Sequence, residues 1–577
     1  MSSRLATRPW YPELLLLGAS VCTLAVGNRR FLAAALGGRP VDEVATWSFG
    51  LALAVALTAI NFLLLGLLAW GRLFRPAVVV TLVLTAGAAH FIDSFGTFID
   101  AAMLRNALHT HWSEARELVG PRAALSLLMG AALPAWLLLR CPPAPRRWTQ
   151  ALAWRGGAIG LALLVLALAI WAMFQPLASL MRQQHGVRYL VTPGNVLWSS
   201  AALARRAQAA TVAPLATVGG DAHAGPALAH SPRARVVVLV IGETARAANW
   251  QLAGHARPTT PRLAQTPGVL AAEALTCGTD TETSLPCMFA AVGRRQYDER
   301  RIRGSENLLH VLVRAGIDVH WRDNQSGCKS VCNGFAHDTV AAIAPPDLCA
   351  DGACLDEGLL HGLDALLPGA VASRRAGGAA APATPAAPPP AKLIVLHQIG
   401  NHGPAYHRRA PASFKRFQPA CEHDDLRRCD AAAIVNAYDN ALLYTDHVLA
   451  TLIERLRARA GEVDSAVVYV SDHGESLGEH GLFLHGMPYA IAPDVQKRVP
   501  MLIWLSDGFA AGRGLDANCL RARMQAGAGT GAALRHDHLF HSVLGLFDVQ
   551  TLAREAAWDL THGCAAAPAA ALGRAAG

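Results

Sequence analysis

The chain has 577 residues, is 52% hydrophobic and only 16% charged, and carries a formal net charge of +9 at pH 7. That is too apolar for an ordinary soluble domain; the excess sits in the first third, and the rest is long enough for a large globular core. The positive charge lies mostly in short loops between apolar runs rather than in a basic stripe, which argues against nucleic acid as a partner.

Five apolar runs open the chain, at roughly residues 14–27, 49–70, 77–91, 123–139 and 157–174. Several approach the ~20 residues that cross a bilayer. No small-residue cleavage site directly follows the first, so it reads as a retained span and not a signal peptide. The loops "WGRLFR" (Arg72, Arg75) and "RCPPAPRRW" (Arg140, Arg146, Arg147) are basic, as is the N-terminus with Arg4 and Arg8. The positive-inside rule puts all three in the cytoplasm, and five spans from an inside start leave the C-terminal part outside. Arg29, Arg30 and Arg39, on the supposed outer side, run against this assignment.

Of the twelve cysteines, Cys22 and Cys141 lie in or beside the membrane region and the other ten follow residue 270. Short separations predict disulfides Cys277–Cys287, Cys328–Cys332, Cys349–Cys354 and Cys421–Cys429, with Cys519–Cys564 as a fifth pair. Matched C-x-x-C metal spacing is absent, so disulfides in an oxidising compartment are the better reading. With basic loops inside, that compartment is the periplasm and the protein is a multi-pass inner-membrane protein.

Residues 1–180 are thus expected to form a five-helix transmembrane domain, residues 181–234 a linker, and residues 235–577 a periplasmic α/β domain with a mostly parallel sheet flanked by helices. The Pro/Ala-rich stretch 376–391 reads as a surface insertion. The clearest strands are "VVVLVI" (236–241), "DVHWR" (318–322), "KLIVLH" (392–397) and "AVVYVS" (466–471). Glu243 follows the first; Asp323, Ser326 and Lys329 follow the second; His402 follows the third; Asp472, His473 and Glu475 follow the fourth. Ligands bind outside the carboxyl ends of strands in open α/β sheets, so four such ends argue for one active site built from distant segments. A lone "SDHGE" is as readily a helix cap; four together are not. Hard oxygens plus imidazole at Glu243, Asp472 and His473 suit zinc, with manganese a poorer choice. The stretch "CGTDTETSLPC" (277–287) offers Thr279, Thr281 and Thr283 as hydroxyls such a metal could activate, on a loop closed by a disulfide.

"GETARAANW", "CGTDTETSLPCMF", "NHGPAY" and "SDHGESLGEHGLFLHG" resemble the phosphoethanolamine transferases that modify lipid A, within the alkaline phosphatase and sulfatase superfamily. The resemblance covers nearly the whole chain. It implies Thr281 as nucleophile and a zinc site of Glu243, Thr281, Asp472 and His473. It implies that His402 and His485 serve the substrate phosphate or a second zinc, and that Lys329 and Ser326 contact the phosphoethanolamine. In "LRNALHTHWSEA" it assigns substrate-side positions to Asn106, Thr110 and Glu114. The donor it implies is phosphatidylethanolamine, the acceptor lipid A or another part of lipopolysaccharide, and the outcome resistance to cationic peptides such as polymyxin; a monomer is expected. Three departures from the family pattern stand out: Asp280 beside the nucleophile, Gln325 where Asn is more usual, and the 376–391 insertion. One rival reading is a hydrolase of the same superfamily, whose sulfatase members use a C/S-x-P-x-R motif that this chain lacks. The other is a transporter or receptor, which would need charged residues inside the spans.

Overall fold

The computed structural model describes residues 10–566 apart from 38, 41, 111–114, 116, 184–186, 211–213, 351–352, 369–389 and 526–533. Glu114, Arg4, Arg8 and residues 376–389 of the insertion therefore lie outside the described residues. The chain forms two compact units. One comprises Met1–Leu108 and Val119–Gln208, the other His109–Leu118 and Ala209–Gly577.

The first unit is helical: α1 (Pro12–Gly27), α2 (Arg29–Leu36), α3 (Val44–Leu68), α4 (Phe74–Phe95), α5 (Ala101–His109), a long helix α6 (Pro121–Leu139) and α7 (Trp148–Ala172). Four helical stretches, those carrying α3, α4, α6 and α7, are long and apolar enough to cross a membrane. The fifth expected span, α1, is a shorter apolar helix of 16 residues; at 1.5 Å per residue it reaches about 24 Å, less than a ~30 Å hydrocarbon core. α6 is continuous only because its middle, Leu128–Ala132, is π-helical. Pro134 follows, and the wider turn accommodates a residue that cannot donate to the helical ladder.

Two arginine contacts tie helices together within this unit. Arg29 and Arg30, the residues that ran against the inside-positive pattern, both pair with Asp93 near the end of α4, at 2.5 and 3.4 Å. Arg155, two turns into α7, is buried, and its Nη1 donates to the Gly66 and Ala69 carbonyls at 3.3 and 3.1 Å. Those carbonyls end α3, where the ladder leaves acceptors unsatisfied and the helix dipole favours a cation.

The second unit is built on an eight-stranded sheet. Its strands are β1 (Ala234–Gly242), β2 (Leu270–Leu275), β3 (Asp318–Asp323), β4 (Ala336–Thr339), β5 (Ala391–His397), β6 (Val463–Ser471), β7 (Arg498–Leu505) and β8 (Leu534–Arg535), in the order β8-β2-β7-β6-β1-β5-β3-β4. The four strands read from sequence are the central neighbours β6, β1, β5 and β3, all parallel. β7 runs antiparallel to both β6 and β2, so the sheet is mixed. The core strands β1 and β6 are buried on both faces, which is why they read as continuous apolar runs instead of alternating ones. The 28-residue helix Ala431–Ala458 carries a long buried face in this unit. All five expected disulfides are present, including Cys519–Cys564; Cys22 and Cys141 are free.

Candidate metal centre and nucleophile

β1 and β6 are parallel neighbours in register, Gly242 opposite Ser471. The chain therefore leaves both strands at one level, and Glu243 meets Asp472 and His473 just beyond. One ligand atom from each lies within 4.8 Å of the others, and all three residues are fully buried. His473 Nε2 is 3.4 Å from Glu243 Oε1 and 3.3 Å from Asp472 Oδ2. His473 Nδ1 is 2.9 Å from the Gly474 carbonyl, which needs a donated N–H. That fixes the tautomer and turns the Nε2 lone pair toward the carboxylates. Burial holds the His473 pKa below its usual value, which favours the neutral form. Asp472 Oδ2 is buried and accepts no hydrogen bond among the described residues. An anionic oxygen out of water needs a cation, and two carboxylates with a neutral imidazole form a donor set that fits a divalent metal of the zinc type.

Thr281 completes the cluster. Its Oγ1 lies 3.1 Å from Glu243 Oε2 and 3.3 Å from His473 Nε2. It is the first residue of the helix Thr281–Met288, and Asp280 is the N-cap, accepting from the Thr283 N–H at 2.9 Å. Asp280 is thus a capping residue placed beside Thr281. Thr279 points away and donates to the Met487 carbonyl at 2.5 Å, so of the three threonines only Thr281 is seen to reach the carboxylates. Two anchors fix this turn to the end of β6. Ser284 Oγ donates to the Asp472 carbonyl at 2.6 Å, and the His536 ring bridges the Cys277 N–H (3.0 Å) and the Ser471 carbonyl (2.9 Å).

The loop after β3 supplies a second wall. Gln325 Nε2 donates to Glu243 Oε2 at 2.9 Å, and Lys329 Nζ donates to Ser326 Oγ at 2.7 Å. Asp323 organises this loop. It accepts from the Gln325 N–H (2.8 Å), the Trp321 indole (2.9 Å) and the His397 ring (3.0 Å). Burial works against its charge, but His397 and these donors outweigh it and hold the carboxyl at about 2. Lys329 and Ser330, bracketed by the Cys328–Cys332 bridge, have φ of 48° and 75°. Left-handed backbone at non-glycine residues concentrates where function constrains the chain; Thr244 (54°) next to Glu243 and Leu484 (63°) next to His485 repeat the pattern.

His402 and His485 stand edge to face with ring centroids 5.4 Å apart, and His485 lies 4.3 Å from His473. Burial, aided by the nearby His485 and Arg409 charges, pushes the His402 pKa well down. Burial also acts against charge on His485, but the Glu475 carboxylate, 3.1 Å from its Nδ1, turns the net shift upward. Glu475 in turn accepts from the Tyr406 hydroxyl at 3.1 Å. The His402 loop depends on Gly400 (φ 50°), where a Cβ would come within 2.6 Å of the Glu243 carbonyl. Arg409 Nε donates to the His402 carbonyl at 2.7 Å and its Nη2 to Glu117 at 2.6 Å. Glu117 belongs to the 109–118 segment that clusters with this unit.

The fold therefore gathers these residues in the second unit: Glu243, Asp472, His473, His402, Ser326 and Lys329 follow the neighbouring strands β1, β6, β5 and β3, Thr281 follows β2, which β7 separates from β6, and His485 lies further along the loop after β6. Asn106 lies in α5, Thr110 just after its last residue, and Glu114 outside the described residues. Sequence reasoning did not find His536, Ser284 or the Asp323–His397 pair. His397 was visible only as the last letter of a strand, and His536 is brought in from the far end of the chain.

A family model described as sulfatase matches residues 235–549, and one described as phosphoethanolamine transferase EptA/EptB matches residues 57–207. The chain is 34% identical over 570 residues to phosphoethanolamine transferase EptA of Escherichia coli K12, covering 98% of this chain and 99% of that one. It is 33% identical over 560 residues to phosphatidylethanolamine transferase Mcr-1 of Escherichia coli, covering 94% and 97%. The structure of the integral membrane lipooligosaccharide phosphoethanolamine transferase A of Neisseria meningitidis superposes with a TM-score of 0.88 at 30% identity, covering 96% of this chain and 99% of that one.

Proposed function

The chain belongs to the phosphoethanolamine transferase family, with a sulfatase-type catalytic half, and on that premise we propose that it moves phosphoethanolamine from phosphatidylethanolamine to a phosphate of lipid A. The observation that carries this reading is Thr281 Oγ1 at a helix start, 3.1 Å from Glu243 and 3.3 Å from His473.

Thr281 Oγ attacks the phosphorus of the donor. A bond from Oγ to phosphorus forms, the ester bond to diacylglycerol breaks, and diacylglycerol leaves with the proton that the threonine gives up. Phosphoethanolamine then sits on Thr281 as an ester. A lipid A phosphate oxygen attacks the same phosphorus, and Thr281 leaves and recovers a proton. Glu243, Thr281, Asp472 and His473 would hold one tightly bound zinc. When bound, zinc supplies a Lewis acid that lowers the pKa of the threonine hydroxyl and draws charge from the phosphoryl oxygens. Lys329 places an ammonium beside those oxygens and Ser326 a hydroxyl. His402, held neutral, and His485 receive the substrate phosphate or a second zinc, while Asn106, Thr110 and Glu114 contact the substrates. Capping lipid A phosphates with an amine lowers the surface charge that attracts cationic peptides such as polymyxin.

We take residues 1–180 as the membrane domain, 181–234 as a bridging segment and the remainder as a monomeric enzyme's catalytic domain facing the periplasm. Four spans from an inside start would return the chain to the cytoplasm, so α1 crosses as the fifth, with local thinning of the bilayer offsetting its length. The test is mass spectrometry of lipid A from cells with and without the gene. A phosphoethanolamine mass increment that appears only with the gene is expected; lipid A unchanged while core sugars or proteins gain the increment overturns the acceptor assignment.

A further inference from the structure

The first unit carries a charged, trench-shaped cavity that the transfer reaction does not use. Two cavities of about 420 and 690 Å³ share Glu13, Leu14, Ala158 and Leu161 as walls, so they form one trench along α1 and α7. Away from its charged end the trench is lined by residues such as Leu24, Val55, Phe62 and Val165. At the other end Arg146, Tyr11 and Trp154 close it. The Arg146 guanidinium lies 5.3 Å from both the Tyr11 and Trp154 ring centroids, and its Nη1 is 2.9 Å from Glu13 Oε2. Glu13 also faces Arg155 Nε at 3.6 Å.

The charges do not cancel: two guanidiniums face one carboxylate, which leaves one net positive charge at the mouth of an apolar trench. Arg155 is committed to the carbonyls that end α3. Arg146 has hydrogen-bonded only Nη1; its Nε and Nη2 make no hydrogen bond among the described residues. A cation with open donors beside a lipid-facing apolar channel, flanked by Tyr and Trp, matches a phospholipid with an anionic headgroup. We propose that this trench binds one anionic phospholipid, its phosphate on Arg146 and an acyl chain between α1, α3 and α7. No residue that lines the trench belongs to the catalytic cluster, and the proposal does not depend on the transferase reading.

The test uses delipidated full-length protein in detergent and three probes: phosphatidylglycerol, phosphatidylethanolamine and phosphatidylcholine. Binding is read by native mass spectrometry and by the shift in thermal unfolding midpoint. Phosphatidylglycerol is expected to bind about fivefold more tightly than either zwitterionic lipid, the ratio equivalent to ~1 kcal/mol for one basic side chain at a lipid surface. Arg146→Gln should bring the three lipids to parity, and Arg146→Lys should keep the preference. Leu161→Trp, which fills the trench without changing charge, should lower occupancy by all three and decides the matter if Arg146→Gln fails to fold. Equal binding of the three lipids by the wild type, retention of the preference in Arg146→Gln, or undiminished occupancy in Leu161→Trp overturns the proposal.

Discussion

Glu475 Oε2 lies 3.1 Å from His485 Nδ1, and both side chains are buried. The contact leaves His485 Nε2 as the ring's other polar atom, on a ring centred 4.3 Å from that of His473. Glu475 thus orients the ring of a histidine that the proposed function assigns to the substrate phosphate or a second zinc. Glu475→Gln should lower kcat roughly 10–100-fold, the usual cost of losing such an orienting partner. Metal content, measured by atomic absorption, should be retained. A variant that loses its metal and its activity together would show that Glu475 acts on the metal cluster instead.

Thr281→Ala should bring transfer below roughly one-thousandth of wild type, because the covalent route disappears. Metal binding should weaken and persist through Glu243, Asp472 and His473. Thr279→Ala and Thr283→Ala should retain substantial activity, since Thr279 is engaged by the Met487 carbonyl and Thr283 contributes its backbone N–H to the cap. Incubation with phosphatidylethanolamine and no acceptor should leave the adduct on the peptide containing Thr281. An adduct that maps to either neighbour contradicts the assignment.

Chelation should abolish activity and lower the unfolding midpoint of the catalytic domain, because a ligand bound only to the native state stabilises it by mass action. Added zinc should restore both. Activity that survives exhaustive chelation would remove the metal from the reaction.

Asp323 gives a pH signature. Its carboxyl is held at about 2 in the folded chain against an ordinary value of 3.8. A depressed carboxyl stabilises the fold above the ordinary value, and that stability is lost as pH falls from about 4 toward 2. Roughly 2 kcal/mol is at stake. Asp323→Asn should be less stable at neutral pH and should lack this acid-dependent component. Parallel thermal melts of both proteins between pH 2 and 6 check it, and superimposable pH profiles would dismiss it.

Arg409 and Glu117 form a buried pair at 2.6 Å, 3% and 5% exposed at the side chain. Removing one partner strands the other charge, typically at ~3–5 kcal/mol. Glu117→Gln or Arg409→Gln should therefore depress the unfolding midpoint. Because Arg409 also holds the His402 carbonyl, Arg409→Gln should raise KM for the donor more than Glu117→Gln does. Equal KM effects in the two variants would reduce the arrangement to stability alone.

Much of this protein was legible in the order of its residues. Apolar runs of span length, and strands such as β1 and β6 buried on both faces, write themselves as long hydrophobic blocks because no position faces water. Closely spaced cysteines made the four short disulfides readable, since short loops close locally. The strand ends at Glu243, Asp472 and His473 were readable because in a parallel sheet the candidate ligands follow the strands directly. Only the tertiary structure decided the rest. "LAAEAL" (Leu270–Leu275) has helix-favouring residues yet forms a strand, because β7 and β8 pair with it on either side; packing overrides a propensity difference of a few tenths of a kcal/mol per residue. Asp280 stood out in the sequence only as a departure from the family pattern; the backbone makes it the cap of the helix that Thr281 opens. Arg29 and Arg30 were visible as a basic pair, but their partner Asp93, 64 and 63 positions away in sequence, was not. Contacts of that kind depend on how helices and strands pack, and packing distance is not a function of sequence distance.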